Sequence, residues 1–211
     1  MADKKKIGFI FECGREGPDV LVLRHFLTKL NPNFEMKPRT LDNKRRLIEE
    51  CGPVAKPLLS ECSRIVIVWD LFPAWREKGE KPCRHDDRKN IFASLKAHGL
   101  SIEKVTLVCI EEELESWLIA DDRAIQMFIA SKKAPHPVGR IPKLKDPDRT
   151  SNPKTRITKL FNQELGQSIR YEDRKHALPI AELIRDFKRL RRSKCFCRFA
   201  LKVAGVNLTK Q

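Results

Sequence analysis

The sequence predicts an α/β protein in which a mostly parallel, Rossmann-like sheet is flanked by helices. Short apolar runs rich in β-branched residues recur through the first half of the chain, and a segment with helical spacing follows each of them. The main runs are continuous rather than alternating, which is typical of strands that helices cover on both faces. The resulting βαβαβαβα order favours parallel strands joined by right-handed crossovers.

Four strands are predicted. Lys6–Phe11 is the first, and Phe34 and Met36 mark a second strand that is shorter and more exposed. Ile65–Trp69 and Val105–Ile110 are the third and fourth, and their apolar runs indicate burial on both faces.

Helices connect these strands. The first spans 19–30 with Asp19 as its N-cap, and Asp42 caps the second, which the prolines at 53 and 57 kink or divide. The third spans 86–98 and ends at Gly99. The loop before it holds Trp75, which is a candidate to stack on a base or to pack in the core. After the fourth strand, 114–119 is helical, and the helix continues or restarts at 124–130.

The rest of the chain differs in composition. Residues 131–153 hold five prolines and several basic residues, which predicts a loop or linker. Beyond it, apolar spacing predicts basic helices at 154–165, 178–190 and 193–203. We therefore expect an α/β domain at 1–130, a linker at 131–153, and a C-terminal basic helical appendage at 154–211 that packs on the α/β domain.

The positive charge is concentrated at the end of the chain. The net charge is +15, and residues 131–211 contribute 21 Lys and Arg against 7 Asp and Glu. Such a surface attracts polyanions, so we expect nucleic acid as a partner, although solvated basic helices would give the same count. No apolar run is as long as the roughly 18 residues of a membrane span. Seven cysteines without a C-x-x-C pair favour a reducing, cytoplasmic setting.

Carboxylates directly follow three of the predicted strands. Glu12 follows the first and Asp70 the third. The fourth is followed by four acids: Glu111, Glu112, Glu113 and Glu115. The carboxyl ends of parallel strands share the edge at which α/β proteins bind ligands, so we expect these acids to form a site. Carboxylate oxygens suit Mg²⁺ or Mn²⁺, and a carboxylate left off the metal could act as a general base.

The acids after the fourth strand allow two interpretations. The helix dipole stabilises acids in a first helical turn, which explains some of them without a site. Glu113 and Glu115 share one side only if the chain is still extended there, and in a helix only one faces the site. We take Glu12, Asp70, Glu113 and Glu115 as the candidate metal-binding and catalytic residues.

Basic residues of the C-terminal third are candidates to hold phosphate groups. They are Lys154, Arg156, Lys175, His176, Arg189, Arg191 and Arg192. Each of them could equally be a surface charge, and His176 is also a candidate general base.

Several short motifs, taken in order, resemble a Toprim-related family of unknown function. They are E-x-G at 12–14, D-L-F-P at 70–73, E-L-E-S-W-L-I-A-D at 113–121, N-P-K-T-R-I at 152–157 and Y-x-x-x-K-H-A at 171–177. The resemblance spans most of the chain, from about residue 6 to residue 203. It implies a Toprim-like fold, magnesium-dependent breakage or joining of phosphodiester bonds, and an ATPase partner in mobile or anti-phage defence loci.

Toprim domains use a Glu after the first strand and a D-x-D after a later one. Glu12 and Asp70 match the first Glu and the first Asp, whereas the second Asp falls on Phe72. The resemblance then requires Glu113 or Glu115 to substitute for it. Residues 16–19, E-G-P-D, offer a second match to the first motif, and Glu12 is preferred because it directly follows the strand.

Two functions are consistent with these features. The first is a metal-dependent, Toprim-like nuclease or nucleic-acid-processing protein. The second is a non-catalytic nucleic-acid-binding or adaptor protein on a degenerate Toprim scaffold, which Phe72 favours. An enzyme for a phosphorylated small molecule is a weaker third, because it leaves the charge of the last third unexplained.

Overall fold

The computed structural model describes residues 4–15, 17–72, 81–133 and 135–210. These residues form a four-stranded, all-parallel sheet with the strand order β2-β1-β3-β4. The strands are β1 (Lys5–Phe11), β2 (Phe34–Thr40), β3 (Ile65–Asp70) and β4 (Val105–Ile110). The predicted α/β class, the parallel sheet and the four strands are confirmed, and the arrangement is Rossmann-like.

Helices connect and cover the strands. In chain order they are α1 (Pro18–Leu30), α2 (Lys44–Glu61), α3 (Arg84–Ala97), α4 (Glu115–Leu118), α5 (Asp122–Lys133), α6 (Pro153–Leu165), α7 (Asp173–Glu182) and α8 (Lys194–Phe199). A π-helical turn, Ala200–Ala204, continues α8. None of the helices in the described ranges is long and apolar enough to cross a membrane.

The sheet separates two apolar layers. On one face, Ile10, Ile67 and Trp69 pack with the buried side chains of α2 and α3. On the other face, Phe11 and Val68 pack with α1 and with the C-terminal helices. Strand alternation therefore sends successive residues of β1 and β3 to different layers, which decides where the acids after these strands lie.

The C-terminal helices share the core of the α/β part. Phe196 of α8 is fully buried. Its ring lies 5.3 Å from that of Phe26 in α1 and 5.2 Å from that of Trp117 in α4, centroid to centroid. The linker is fixed as well, since Ser193 Oγ donates to Asp148 Oδ1 at 2.5 Å. Residues 131–211 are thus tied to the sheet by buried contacts.

Two predicted N-caps are wrong. Gly17 is the N-cap of α1 and Pro18 occupies the first turn, where its fixed φ and missing N–H are tolerated. Asp19 therefore lies inside the helix. Asn43, not Asp42, caps α2 by accepting the Arg46 N–H at 2.9 Å, while Asp42 adopts a left-handed φ of 65°.

Two helix predictions leave alternatives open. The helix α2 is not divided at its prolines, and α5 restarts after α4, which is one of the two predicted alternatives. The helix predicted at 178–190 instead spans Asp173–Glu182. Beyond it, Asp186 Oδ1 accepts the Lys188 N–H at 2.9 Å, a local turn that competes with the helix. Glu16 and Trp75 lie outside the described residues.

We expect the substitution Phe196→Ala to lower the free energy of unfolding by about 3–5 kcal/mol, because it opens a cavity among four aromatic rings. Urea denaturation measures this loss. The matched control is Leu201→Ala, whose side chain is 51% exposed and should cost less than about 1 kcal/mol. Equal, small losses for both variants would contradict a core shared by α8 and the sheet.

Candidate functional site

The sheet order places a topological switch point between β1 and β3. From β1 the chain moves to β2 on one side, and from β2 it crosses to β3 on the other. Crevices of this kind, at the carboxyl ends of the strands, are where open α/β sheets bind ligands. Glu12 follows β1 directly and Asp70 ends β3, so both predicted acids flank the switch point.

Asp70 is at the centre of the negative charge. Burial raises its pKa well above the ordinary value, and the charges of Asp19, Glu12 and Glu115 raise it further. Lys154 opposes this effect. Four carboxylates from β1, α1, β3 and α4 therefore act on one another at this edge.

Glu12 lies towards the α2–α3 side of the sheet edge. Burial raises its pKa to about 7, although Lys44 and a hydrogen bond from the Asp70 main chain lower it. Its Oε2 is buried and has no hydrogen-bond partner among the described residues. Among the described residues, one of the two oxygens of this carboxylate is thus without a hydrogen bond, and leaving a buried polar atom unpaired opposes folding.

Lys44 and Asp87 lie beside Glu12 and are both buried. Lys44 Nζ donates to the Leu71 carbonyl at 2.6 Å and lies 3.6 Å from Asp87 Oδ2. Trp69 Nε1 donates to the same Asp87 oxygen at 3.0 Å. These contacts fix the chain on both sides of Asp70.

Glu115 occupies the opposite, α1 side and is 1% exposed. The Tyr171 hydroxyl donates to its Oε1 at 2.9 Å, while Oε2 has no partner in the described chain. Burial raises the pKa of Glu115 to about 7, against the opposing effects of Lys154 and Tyr171. Of the four acids after β4, Glu115 is therefore the one that faces the interior.

Lys154 brings the C-terminal region into the site. Its Nζ lies 3.2 Å from Asp173 Oδ2 and 3.8 Å from Glu113 Oε1. Burial disfavours its charge, but Glu115, Glu113 and Asp173 outweigh this and raise its pKa. Of the predicted phosphate-binding residues, this one lies among the carboxylates, where it acts as their counter-ion.

Asp19 completes the group from the first turn of α1. Burial raises its pKa, while Lys154 and a hydrogen bond from the Cys13 thiol lower it. That thiol has its own pKa raised by burial and by Asp19. Cys13 is therefore held as a neutral thiol beside the acids.

Two other acids after β4, Glu111 and Glu112, have different surroundings from Glu115. Glu111 Oε1 pairs with Arg84 at 3.1 Å and with Arg198 at 2.5 Å. Glu112 is partly exposed, and burial followed by the charges of Glu113 and Glu111 raises its pKa. Phe72, two residues after Asp70, is 44% exposed and offers no oxygen ligand.

Two predicted phosphate-binding arginines are paired within the protein. Arg189 Nη1 and Arg192 Nη2 lie 2.6 Å and 2.8 Å from Asp122 Oδ1. Arg192 also donates to the main-chain carbonyls of Leu144 and Ala120. These contacts brace α5 against the turn at 190–192, so the two side chains have a structural role whatever else they bind. The neighbouring Arg191 is half-buried, and its Nε has no partner among the described residues.

The remaining candidates lie around α6 and α7. Lys175 is exposed and pairs with Glu172 at 2.7 Å, and Arg156 is half-buried. His176 packs edge-on against the rings of Phe128 and Phe161, and burial lowers its pKa. His176 is half-buried, its Nδ1 accepts the Glu172 N–H at 2.8 Å, and its ring centroid lies 5.8 Å from that of Tyr171.

The donor atoms of this site suit a divalent metal ion, whereas the spacing of its side chains does not. The donor set of hard carboxylate oxygens fits Mg²⁺ or Mn²⁺, and so do the two unpartnered oxygens of Glu12 and Glu115. Within the described ranges, however, no three His, Cys, Asp or Glu side chains are grouped closely enough to hold one ion. Strand alternation gives the reason, because Glu12 and Asp70 leave the sheet towards different faces. A shared ion requires them to draw closer together.

Several residues of this site escaped the sequence analysis. Asp19 was interpreted as a helix cap, and only the preference of Pro18 for the first helical position signals otherwise. Tyr171, the one tyrosine of the chain, stands at the head of a quoted motif but received no role. Lys44, Asp87 and Asp173 carry no local signal, because their partners come from distant segments.

We expect Glu12→Gln to be more stable than the wild type at pH 8, by up to the order of 3 kcal/mol, and equally stable at pH 4. Because the folded pKa of Glu12 is about 7 against an ordinary 4.5, the folded protein binds the extra proton. Wild-type stability from this group therefore falls as the pH rises from about 4.5 to about 7.

Urea denaturation across this pH range measures the difference. Glu103→Gln, at an exposed acid, is the matched control and should follow the wild type throughout. A Glu12→Gln protein that is no more stable than the wild type at pH 8 would show that burial does not raise the pKa of Glu12.

Comparisons with known proteins place no further constraint on the site. No protein-family model matches the chain, and neither a curated protein nor a solved structure gives a significant match. The resemblance to the Toprim-related family therefore stays a prediction from the motifs.

Proposed function

We propose that this chain is a metal-dependent enzyme that cleaves phosphodiester bonds in nucleic acid, with a Toprim-like active site at the switch point between β1 and β3. One observation carries the proposal. Glu12, Asp19, Asp70 and Glu115 lie at this edge, where burial raises the pKa of each of them and the charges of the other three raise that of Asp70 further. Buried ionisable groups with strongly shifted pKa values concentrate at functional sites, and a bound cation would offset the electrostatic energy of these buried carboxylates.

Glu12 and Asp70 are the proposed primary metal ligands, with Asp19 or Glu115 as the third. A bound Mg²⁺ or Mn²⁺ would polarise the phosphodiester and offset the negative charge of the transition state. In this arrangement Glu115 or Asp19 replaces the second Asp that Phe72 displaces. Glu113, the other predicted substitute, contacts Lys154 instead.

Other residues of the chain would supply the general base and the phosphate-binding group of this active site. Tyr171 fixes the orientation of Glu115 by donating to one of its oxygens. The second oxygen is free to accept a proton, and a carboxylate that titrates near neutral pH suits a general base. The side chain of Lys154 is 43% exposed, so its ammonium group can leave Asp173 and Glu113 and bind a phosphate oxygen of the substrate instead.

The excess of Lys and Arg in the last third of the chain supports nucleic acid as the substrate. Residues 131–211 carry an excess of 14 positive charges, and they pack beside the acids. Such a surface binds phosphate backbones and concentrates them at the site. Seven free thiols favour a reducing, cytoplasmic location. An ATPase partner and a role in defence rest on the resemblance alone.

A non-catalytic nucleic-acid-binding or adaptor protein is the second candidate. Lys154 favours it, because an internal ammonium group among Glu113, Glu115 and Asp173 can stabilise the acids without any metal. The exposed Phe72 favours it too. In that case the edge is the remnant of an active site and the basic surface carries the function.

We expect Asp70→Asn to abolish cleavage of plasmid, single-stranded DNA or RNA in Mg²⁺ or Mn²⁺, by at least about 100-fold. The isosteric amide removes the charge at the centre of the carboxylate group, and calorimetry should show the loss of metal binding in parallel. Glu103→Gln, at an exposed acid, should cleave as the wild type does.

Two outcomes would count against the enzyme. Cleavage that survives in Asp70→Asn would remove Asp70 from the mechanism. A wild type that binds nucleic acid with steep salt dependence, and neither binds metal nor cleaves, would favour the second candidate.

A further inference from the structure

A groove runs along the outer edge of the sheet, beside β4. It lies between α3 and α8 and has a volume of about 440 Å³. Residues 105–109 of β4 form its floor, and the side chains of Arg84, Arg88 and Phe92 from α3 face Arg198 and Lys202 across it. We call this the β4 groove.

The walls of the β4 groove are strongly basic. Arg84 and Arg88 line one side and Arg198 and Lys202 the other, with His85 at the rim. A neighbouring hollow on the same face of α3 adds Lys89 and Lys96. Within the described residues, Glu111 pairs with Arg84 and Arg198 at once, so one carboxylate there meets four wall cations.

An apolar platform accompanies the charges. Phe92 is half-buried on α3, and the Arg88 guanidinium lies over its ring, 5.8 Å from the centroid. Grooves that combine a row of cations with an aromatic face are typical of proteins that bind single-stranded nucleic acid, since unpaired bases can stack there.

The floor of the groove is an open strand edge. Ile110 directs its carbonyl to Leu71, on the β3 side, so in a parallel strand Cys109 and Leu107 direct theirs outward. The Cys109 carbonyl accepts the Cys195 thiol at 3.0 Å. An open edge also suits an added peptide strand, but four permanent cations along the walls favour a polyanion.

The floor of the β4 groove belongs to the strand that pairs with β3, the strand that Asp70 ends. Asp70 is the register partner of Ile110, which directly follows the last floor residue, Cys109. Glu111 comes next and lies between the two walls. A strand bound along β4 would therefore run towards the carboxyl edge of the sheet, where Asp70 lies.

We propose that the β4 groove binds a single strand of DNA or RNA and guides it to the carboxylates at the switch point. The inference rests on the proposed function, since it names the path of that function's substrate. It also differs from the sequence prediction, because the contacts come from α3 and α8 rather than from Arg189 and Arg192.

The test measures binding of a fluorescein-labelled oligothymidylate by anisotropy, in EDTA and over a range of salt. Arg88→Gln with Lys202→Gln removes two exposed cations that line the groove. Arg24→Gln with Lys56→Gln is the matched control, with two exposed cations that lie outside both the groove and the basic C-terminal region. Phe92→Leu tests stacking while keeping an apolar side chain.

We expect the groove variant to raise the Kd roughly tenfold and to lower the salt slope by about 0.7 for each lost phosphate contact. The control should change neither, and Phe92→Leu should raise the Kd without changing the slope. Equal effects in the groove and control variants, or an effect in the control alone, would overturn the groove and leave the proposed function standing.

Two further results separate the possibilities. A wild type that binds no oligonucleotide at low salt would overturn both proposals. A wild type that binds polyglutamate through Arg88 and Lys202, but no nucleic acid, would overturn the inference in favour of an acidic protein partner.

Discussion

The contact of Lys154 with the carboxylates is the interaction on which the two halves of the structure depend. Its ammonium group lies at the start of α6 and is shared by Glu113 after β4 and Asp173 in α7. It also offsets the charges of Glu115, Asp19 and Asp70. Without it, the C-terminal helices would bring a further acid, Asp173, to an edge that is already negative. With Lys154 in place, α6 and α7 can pack beside these acids on the α1 side of the switch point.

At this edge of the sheet, the residues that would maximise the stability of the fold differ from those that would bind a ligand. A protein selected only for stability would replace Asp70 or Glu115 with an apolar residue, since buried carboxylates that repel one another oppose folding. The apolar layers on either side of the sheet are extensive enough to tolerate this cost. Retaining four acids at the switch point is therefore easier to explain by ligand binding than by structure.

The sequence predicted the sheet and the acids at strand ends because both are local patterns. An apolar run that ends abruptly in Asp70 is visible without knowledge of the fold. The partners of those acids were not predictable, since Tyr171 and Lys154 reach Glu115 only through tertiary packing. For the same reason a count of charges in the last third selected Arg189 and Arg192, which the fold pairs with Asp122. Periodicity reveals which residues are buried, but not which charges meet.

The strand order has a consequence for how the chain folds. The acids of β1 and β3 are far apart in sequence and become neighbours only when β3 pairs with β1, after the crossover through α2. Until that non-local pairing forms, a nascent chain that builds β1, α1 and β2 meets the repulsion between Glu12 and Asp19 but not the repulsion that centres on Asp70. The repulsion at Asp70 then acts late, on the rate at which the finished sheet opens rather than on the rate at which it assembles.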